Sequence, residues 1–231
     1  MDKIDQHQAE WREFRTRQAA GLVPKPAASR RPTSRAVAKQ VKGTTPDLML
    51  VKLEADLHRL SLQPSREART KVQGELLQSP LYSEYLAKVL AGQRLRGEDP
   101  VLIYGMIWAF NTQALALALA LAQVAIKRGL AMPKDFKATV EIFICREVAY
   151  WSLAQQKAGN SPQPYLDQVF NQSRQWAKPD QIEARLLKAK GQDIQQVNPN
   201  EALTLYKRAQ TLDADCGVSH LIKRVQKQLQ G

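Results

Sequence analysis

An all-α protein, built of helical hairpins behind a flexible basic N-terminal tail, is what this sequence predicts. Three observations carry that expectation. Leu50, Leu53, Leu57 and Leu60 recur at 3-4-3 spacing, which lines up one apolar stripe on a helix. Pro64, Pro80, Pro100 and Pro133 stand where new helices would open, because a first-turn proline loses no intrahelical hydrogen bond. No stretch joins β-branched residues to turn signals in a way that makes a sheet.

The tail comes first. Residues 1–46 hold ten Lys or Arg against four acids, and between Phe14 and Pro46 there are eight basic residues and no acidic one. The chain as a whole carries +12, so half of the excess sits in its first fifth. Residues 1–19 can form a polar helix with Trp11 and Phe14 as its only large apolar residues. The following GLVPKPAASRRPTSRAVAKQVKGTTP has four prolines and two glycines, a composition that resists ordering. Such charge favours a polyanion, either nucleic acid or an anionic membrane face; the alternative is a solvated tail with no partner.

From Asp47 the chain reads as ordered. Asp47 can cap a helix carrying the leucine stripe, and Pro64 opens a second helix with Ala68, Val72 and Leu76 on one face and Arg66 and Arg69 on another. These make a hairpin over residues 47–78. Leu81 to Ala91 is a short helix ended near Gly92, and Gln93–Asp99 is a charged loop. A helix from Pro100 to about Phe110, an Asn111-Thr112-Gln113 turn and a second helix through ALALALALA (114–122) make another hairpin. The strict alternation imitates a strand, but Ala and Leu are the strongest helix formers. Lys127-Arg128-Gly129 supplies its cationic, glycine-ended terminus. Pro133 is expected to start a helix with Phe136, Val140, Phe143, Ile144 and Trp151 on one face, stopped at Gly159. Further helices run from Tyr165 to Trp176, Asp180 to about Lys190, Glu201 to Leu212 and Val218 to Leu229. In the last pair Ala202, Tyr206 and Ala209 have the small–aromatic–small spacing of tetratricopeptide-type hairpins. The expected divisions are 1–46, the flexible basic tail; 47–160, a helical core; and 161–231, a C-terminal helical hairpin region.

Val101 to Ile126 contains no charged residue, long enough by itself for a membrane span. The polar triplet in its middle would be costly in lipid, so a buried hairpin is expected and no membrane partner. Cys145 and Cys216 lie far apart without metal or redox spacing, which fits a reducing cytosol. The polar start MDKIDQHQAEW is not that of a secretory signal peptide.

Residues for catalysis do not gather. No GxxxxGK[ST] loop is present, and His7, His58 and His220 are scattered. Glu54 with Asp56, and Glu141 with Glu147, are spaced so that each pair diverges on a helix. The reading is therefore no catalytic residue, no metal site and no cofactor. The candidates for DNA contact are Arg30, Arg31, Arg35, Lys39 and Lys42 in the tail, within a run of eight cations suited to phosphate. Arg66, Arg69 and Lys71 on the second helix are the candidates for base edges in a major groove. Leu50, Leu53, Leu57 and Leu60 are the expected homo-oligomer interface.

The run KLEADLHRLSLQPSREARTKVQGELL, Lys52 to Leu77, closely resembles the core of the terminase small subunit of peduovirus-type tailed phages. Val101 to Trp108 and Lys127 to Pro133 with Phe136 are similar to that family's middle section, so the likeness spans roughly residues 47–160. The resemblance implies a subunit that binds the packaging (cos) site on concatemeric double-stranded viral DNA in the host bacterial cytoplasm. It further implies self-association and delivery of DNA to a large subunit that carries the ATPase and nuclease. The family is often labelled an endonuclease subunit, which conflicts with the residues. Two other functions therefore stay open: an endonuclease with a metal site assembled between protomers, and a helical docking scaffold. The long basic tail departs from the family pattern and leaves open whether tail, hairpin or both meet DNA.

Overall fold

Ser65, Asp99, Thr139 and Asn198 start four helices by the same device. Each side-chain oxygen accepts a backbone N–H three residues on, from Ala68 (3.0 Å), Leu102 (3.1 Å), Ile142 (3.4 Å) and Glu201 (3.2 Å), satisfying a donor that the first turn leaves orphaned. Pro80, Pro100 and Pro199 occupy first-turn positions.

In a computed structural model, which describes residues 45–93 and 97–230, the described residues form ten α-helices, a short 3-10 turn and no strand. The helices are α1 (Thr45–Ser61), α2 (Arg66–Gln78), α3 (Pro80–Leu90), α4 (Pro100–Asn111), α5 (Leu115–Lys127), α6 (Val140–Lys157), α7 (Tyr165–Gln172), α8 (Asp180–Ile194), α9 (Pro199–Leu212) and α10 (Ser219–Gln230). The all-α class expected from the sequence is the class observed. The basic tail lies outside the described residues, apart from the first turn of α1 at Thr45 and Pro46.

The chain divides into two units, Met1–Pro64 and Ser65–Gly231. The boundary falls at the turn of the expected 47–78 hairpin, so α1 and α2 belong to different units. In the first unit, α1 buries Met49, Leu53, Asp56 and Leu60, and Lys52 forms an ion pair with Asp56 one turn away.

In the second unit, α2 and α3 pack together and each meets α4; α3 also meets α5. Helices α4 and α5 form the expected hairpin, turned at Thr112-Gln113, where Gln113 takes φ 61. Trp108 is buried and meets the edge of Tyr82, ring centroids 5.3 Å apart. The uncharged stretch is thus core, and no described helix is long and apolar enough to cross a membrane. Packing continues from α5 to α6, from α6 to α8, from α8 to α9 and from α9 to α10. Across residue 160, Gln156 in α6 donates to the Ala189 carbonyl of α8 at 2.8 Å.

Three expected boundaries are corrected, the first being that Pro64 lies ahead of Ser65, the cap of α2, and not in that helix's first turn. The helix predicted from Pro133 starts at Val140, because Thr139 caps it and Pro133 instead accepts the Phe136 N–H in a turn (2.8 Å). Phe136 still reaches the expected face from outside the helix, its ring 5.8 Å from that of Phe143. The helix predicted to run to Trp176 stops at Gln172 and tightens into a 3-10 turn over Ser173–Gln175.

Helix α8 is tied to α7 by charge. Lys190 Nζ donates to Asp167 Oδ1 at 2.6 Å and lies 3.4 Å from Asp193 Oδ2, which also accepts from Gln163 (2.6 Å). Burial works against both charges. For Asp167 the hydrogen bonds from Lys190 and Gln163 prevail and lower its pKa, and for Lys190 the bond to Asp167 and both carboxylate charges prevail and raise it. A lowered carboxylate pKa stabilises the fold above the unfolded value of about 4 and ceases to do so as pH falls through the folded value. A raised lysine stabilises below about 10.4 and is lost above it. Wild type and Asp167→Asn should therefore differ by a constant margin in urea midpoint from about pH 5 to pH 8. That margin should close in acid, as pH falls below the ordinary carboxylate value of about 4 and through the lower folded one. A margin independent of pH in acid would contradict the assignment.

Candidate nucleic-acid interface

Helix α2 carries the ordered candidates. Its Ser65 cap has extended backbone, φ −135 and ψ 168, and Glu67 in the first turn is held below the usual carboxylate range by backbone and Ser65 hydrogen bonds and by Arg66. The buried side of α2 consists of Val72, Gln73, Leu76 and Leu77. Arg66 and Lys71 are exposed and Arg69 is half-buried. At ~100° per residue, Arg66 and Arg69 lie about 60° apart, whereas Lys71 is about 140° or more from both. The structure thus brings two of the three predicted cations together and sends Lys71 to another face. Both arginines fall within the arc of Val72, Gln73, Leu76 and Leu77, which corrects the expectation of a separate face: Arg69 is half-buried on the packed side, and Arg66 is exposed at its first turn.

Arg30, Arg31, Arg35, Lys39 and Lys42 lie outside the described residues. Of the four leucines expected at an oligomer interface, Leu53 and Leu60 are buried in the single chain, Leu57 is half-buried and Leu50 is 39% exposed. The buried stripe is rotated toward Met49, and the exposed apolar positions of α1 are Leu48, Leu50 and Val51.

Among the described residues no three His, Cys, Asp or Glu side chains come together as metal ligands. The carboxylates that do gather serve packing. Asp99, buried at the start of α4, accepts from Tyr85 Oη (2.9 Å), Leu102 N (3.1 Å) and Arg128 Nη1 (2.8 Å). Arg128 also reaches the Gly97 carbonyl at 3.5 Å. Burial and the Asp99 charge together push the Tyr85 hydroxyl pKa upward. Cys145 is fully buried, and burial raises its thiol pKa to about 11.

The model of the phage small terminase subunit family matches residues 50–181, which takes in α1 through the start of α8. The chain belongs to this family. It is 30% identical over 188 residues to a protein of Escherichia phage P2 named "Terminase, endonuclease subunit", an overlap covering 80% of this chain and 75% of that one. A protein of Haemophilus phage HP1 (strain HP1c1), named "Probable terminase, endonuclease subunit", is 28% identical over 160 residues, covering 63% of this chain and 55% of that one. No solved structure matches. Membership gives the chain a terminase role in phage DNA packaging and confirms the resemblance read from Lys52 to Leu77. The family match includes α2, with Arg66 and Arg69, and the Asp99–Arg128 network, while α9 and α10 lie beyond it.

Sequence reasoning overlooked two features. One is the Asp99–Tyr85–Arg128 network, whose members are too distant in sequence to signal one another. The other is the basic face of α10, which helical arithmetic on Lys223, Arg224 and Lys227 would have shown.

Proposed function

We propose that this terminase small subunit binds the packaging site on concatemeric double-stranded viral DNA, assembles with copies of itself, and passes the DNA to a terminase large subunit. The supporting observation is the concentration of charge: eight cations and no acid between Phe14 and Pro46, joined to a chain of the small terminase family. The tail supplies affinity through phosphates, which carry no sequence information. Selection of the site falls to Arg66, exposed in the first turn of an ordered helix, with the half-buried Arg69 one turn further on; guanidinium groups so held can fork to base edges. Of the four leucines, Leu50 and the half-buried Leu57 are left to contact another copy, beside the exposed Leu48 and Val51.

A footprint of the pure full-length chain on DNA containing the cohesive-end region tests this reading, and protection confined to that region is expected. Replacing Arg30, Arg31, Arg35, Lys39 and Lys42 with Gln should weaken binding to every sequence. It should also reduce the slope of log affinity against log salt by up to about 4.5, at about 0.9 per phosphate contact. Arg66→Ala with Arg69→Ala should instead lose preference for the site, by about 1–3 kcal/mol for each base contact removed. Equal losses on specific and random DNA would remove α2 from recognition.

The names of the phage P2 and HP1 relatives favour a second reading, an endonuclease. Metal ligands would then come from more than one chain or from residues outside those described. Cutting of cohesive-end DNA by the pure chain with Mg²⁺, in the absence of any large subunit, would establish it.

A further inference from the structure

Helix α10 is amphipathic, and its exposed side carries Lys223, Arg224 and Lys227 among neutral residues such as Gln226 and Gln230, with no acid. Leu221 and Val225 are buried against the core that α8 and α9 share. At ~100° per residue, His220, Lys223, Arg224 and Lys227 fall within an arc of about 100° turned away from those two residues. All four are exposed. No acidic residue follows Asp215 in the chain, so α10 has no carboxylate of its own to neutralise them. Lys223 and Lys227, one turn apart, take part in no ion pair among the described residues. Arg224 stands at the edge of the arc, where its Nη2 donates to the neutral Gln195 Oε1 at 2.9 Å and keeps its charge uncompensated. That bond also fixes the helix: Gln195 is buried and holds the Tyr206 hydroxyl at 3.0 Å on the same oxygen.

We infer that the outer face of α10 is a second DNA contact, a rigid row of cations that meets the phosphate backbone of the duplex. The inference rests on the reading that the chain binds DNA, and it adds a site more than 170 residues from the tail. A preordered row loses less side-chain and backbone freedom on binding than a tail that must be ordered at that moment. From Lys223 to Lys227 the row of cations is about 6 Å long, at 1.5 Å per residue. It therefore spans neighbouring phosphates along one strand, with no base-reading role. Such a contact grips any sequence and complements a sequence-selective element elsewhere in the chain.

The test uses the full-length chain and a fluorescent duplex of about 30 base pairs, with affinity measured across a salt series. Lys223→Gln with Lys227→Gln should lower the slope of log affinity against log salt by about 1.8, at about 0.9 for each contact. The affinity lost between 50 and 200 mM salt should accordingly shrink by about tenfold. Lys134→Gln with Lys137→Gln removes the same charge from the exposed α5–α6 connection and should leave the slope unchanged. Lys223→Arg with Lys227→Arg should retain the wild-type slope. If the α10 variant binds with the wild-type slope, α10 is not a phosphate contact, and DNA binding itself still stands. The α10 contact is equally overturned if the control pair reduces the slope by the same amount, since net charge alone would then be acting. Absence of DNA binding by the wild-type chain would overturn the underlying reading instead. An acidic polypeptide as the true occupant would leave the DNA slope untouched, and that result counts against the inference.

Discussion

Arg128→Ala should destabilise the second unit by about 3–5 kcal/mol, the cost of leaving a buried carboxylate without its counter-charge. Asp99 has a side chain only 1% exposed, and its Oδ2 meets Arg128 Nη1 at 2.8 Å. Its other oxygen is occupied by the Tyr85 hydroxyl and the Leu102 N–H. Those two neutral donors remain in the variant, but the charge does not. The carboxylate must then stay ionised in poor surroundings, take up a proton, or pull the start of α4 open to water. For a chain of this size the loss corresponds to roughly 6–20 °C in melting temperature. Asp99→Asn removes the charge and keeps an amide oxygen able to cap α4. The double variant Asp99→Asn, Arg128→Ala should therefore be more stable than Arg128→Ala alone, with a coupling of about 0.5–3 kcal/mol. Urea unfolding of the four proteins of this cycle checks it, and strictly additive losses would mean that the two groups act independently.

A second large effect is expected at Gly191→Ala, although the substitution improves helix propensity by about 1 kcal/mol. A Cβ at Gly191 would lie 2.5 Å from Tyr206 Cε1 and 2.9 Å from Cδ1. Those are ring atoms of a fully buried side chain, so they cannot swing aside as the end of a flexible chain would. The ring is pinned at its far end by the hydrogen bond to Gln195 and lies between Ala202 and Ala209 on the turns to either side of it. Overpacking of this kind costs about 1–3 kcal/mol and sometimes more, which exceeds the propensity gain. The loss should appear where α8, α9 and α10 share their core, as faster amide exchange across all three helices. Tyr206→Leu in the Gly191→Ala background should recover stability relative to Gly191→Ala, because it removes the clashing ring. A Gly191→Ala variant as stable as wild type would show that α8 and α9 separate without cost.

Much of the architecture is legible in the amino-acid sequence. Caps and breakers acted where they were expected: Pro80 and Pro100 in first turns, and Gly129 at φ 64 after α5. The ALALALALA run folded as helix, because propensity outweighed an alternation with no β-branched support. The Ala202–Tyr206–Ala209 spacing marked a close helix approach, and all three are fully buried. Elsewhere a local signal was outvoted. Pro133 is a sound helix opener by itself, yet Thr139 caps the helix six residues later, and the intervening turn lays Phe136 on Phe143.

The sequence by itself thus determined the helical class, most helix ends and the family, all of which rest on hydrogen bonds and periodicities that reach only a few residues along the chain. The limits of the buried side were decided by the tertiary structure in α1 and α2. The buried stripe of α1 includes Met49 in place of Leu50, and Arg69 is half-buried on the packed side of α2. Asp99 and Arg128 are 29 positions apart, and Gln195 and Arg224 are likewise 29 apart. Nothing in either local sequence selects the partner. Only the docking of whole helices, driven by the apolar faces between them, brings those groups to hydrogen-bonding distance.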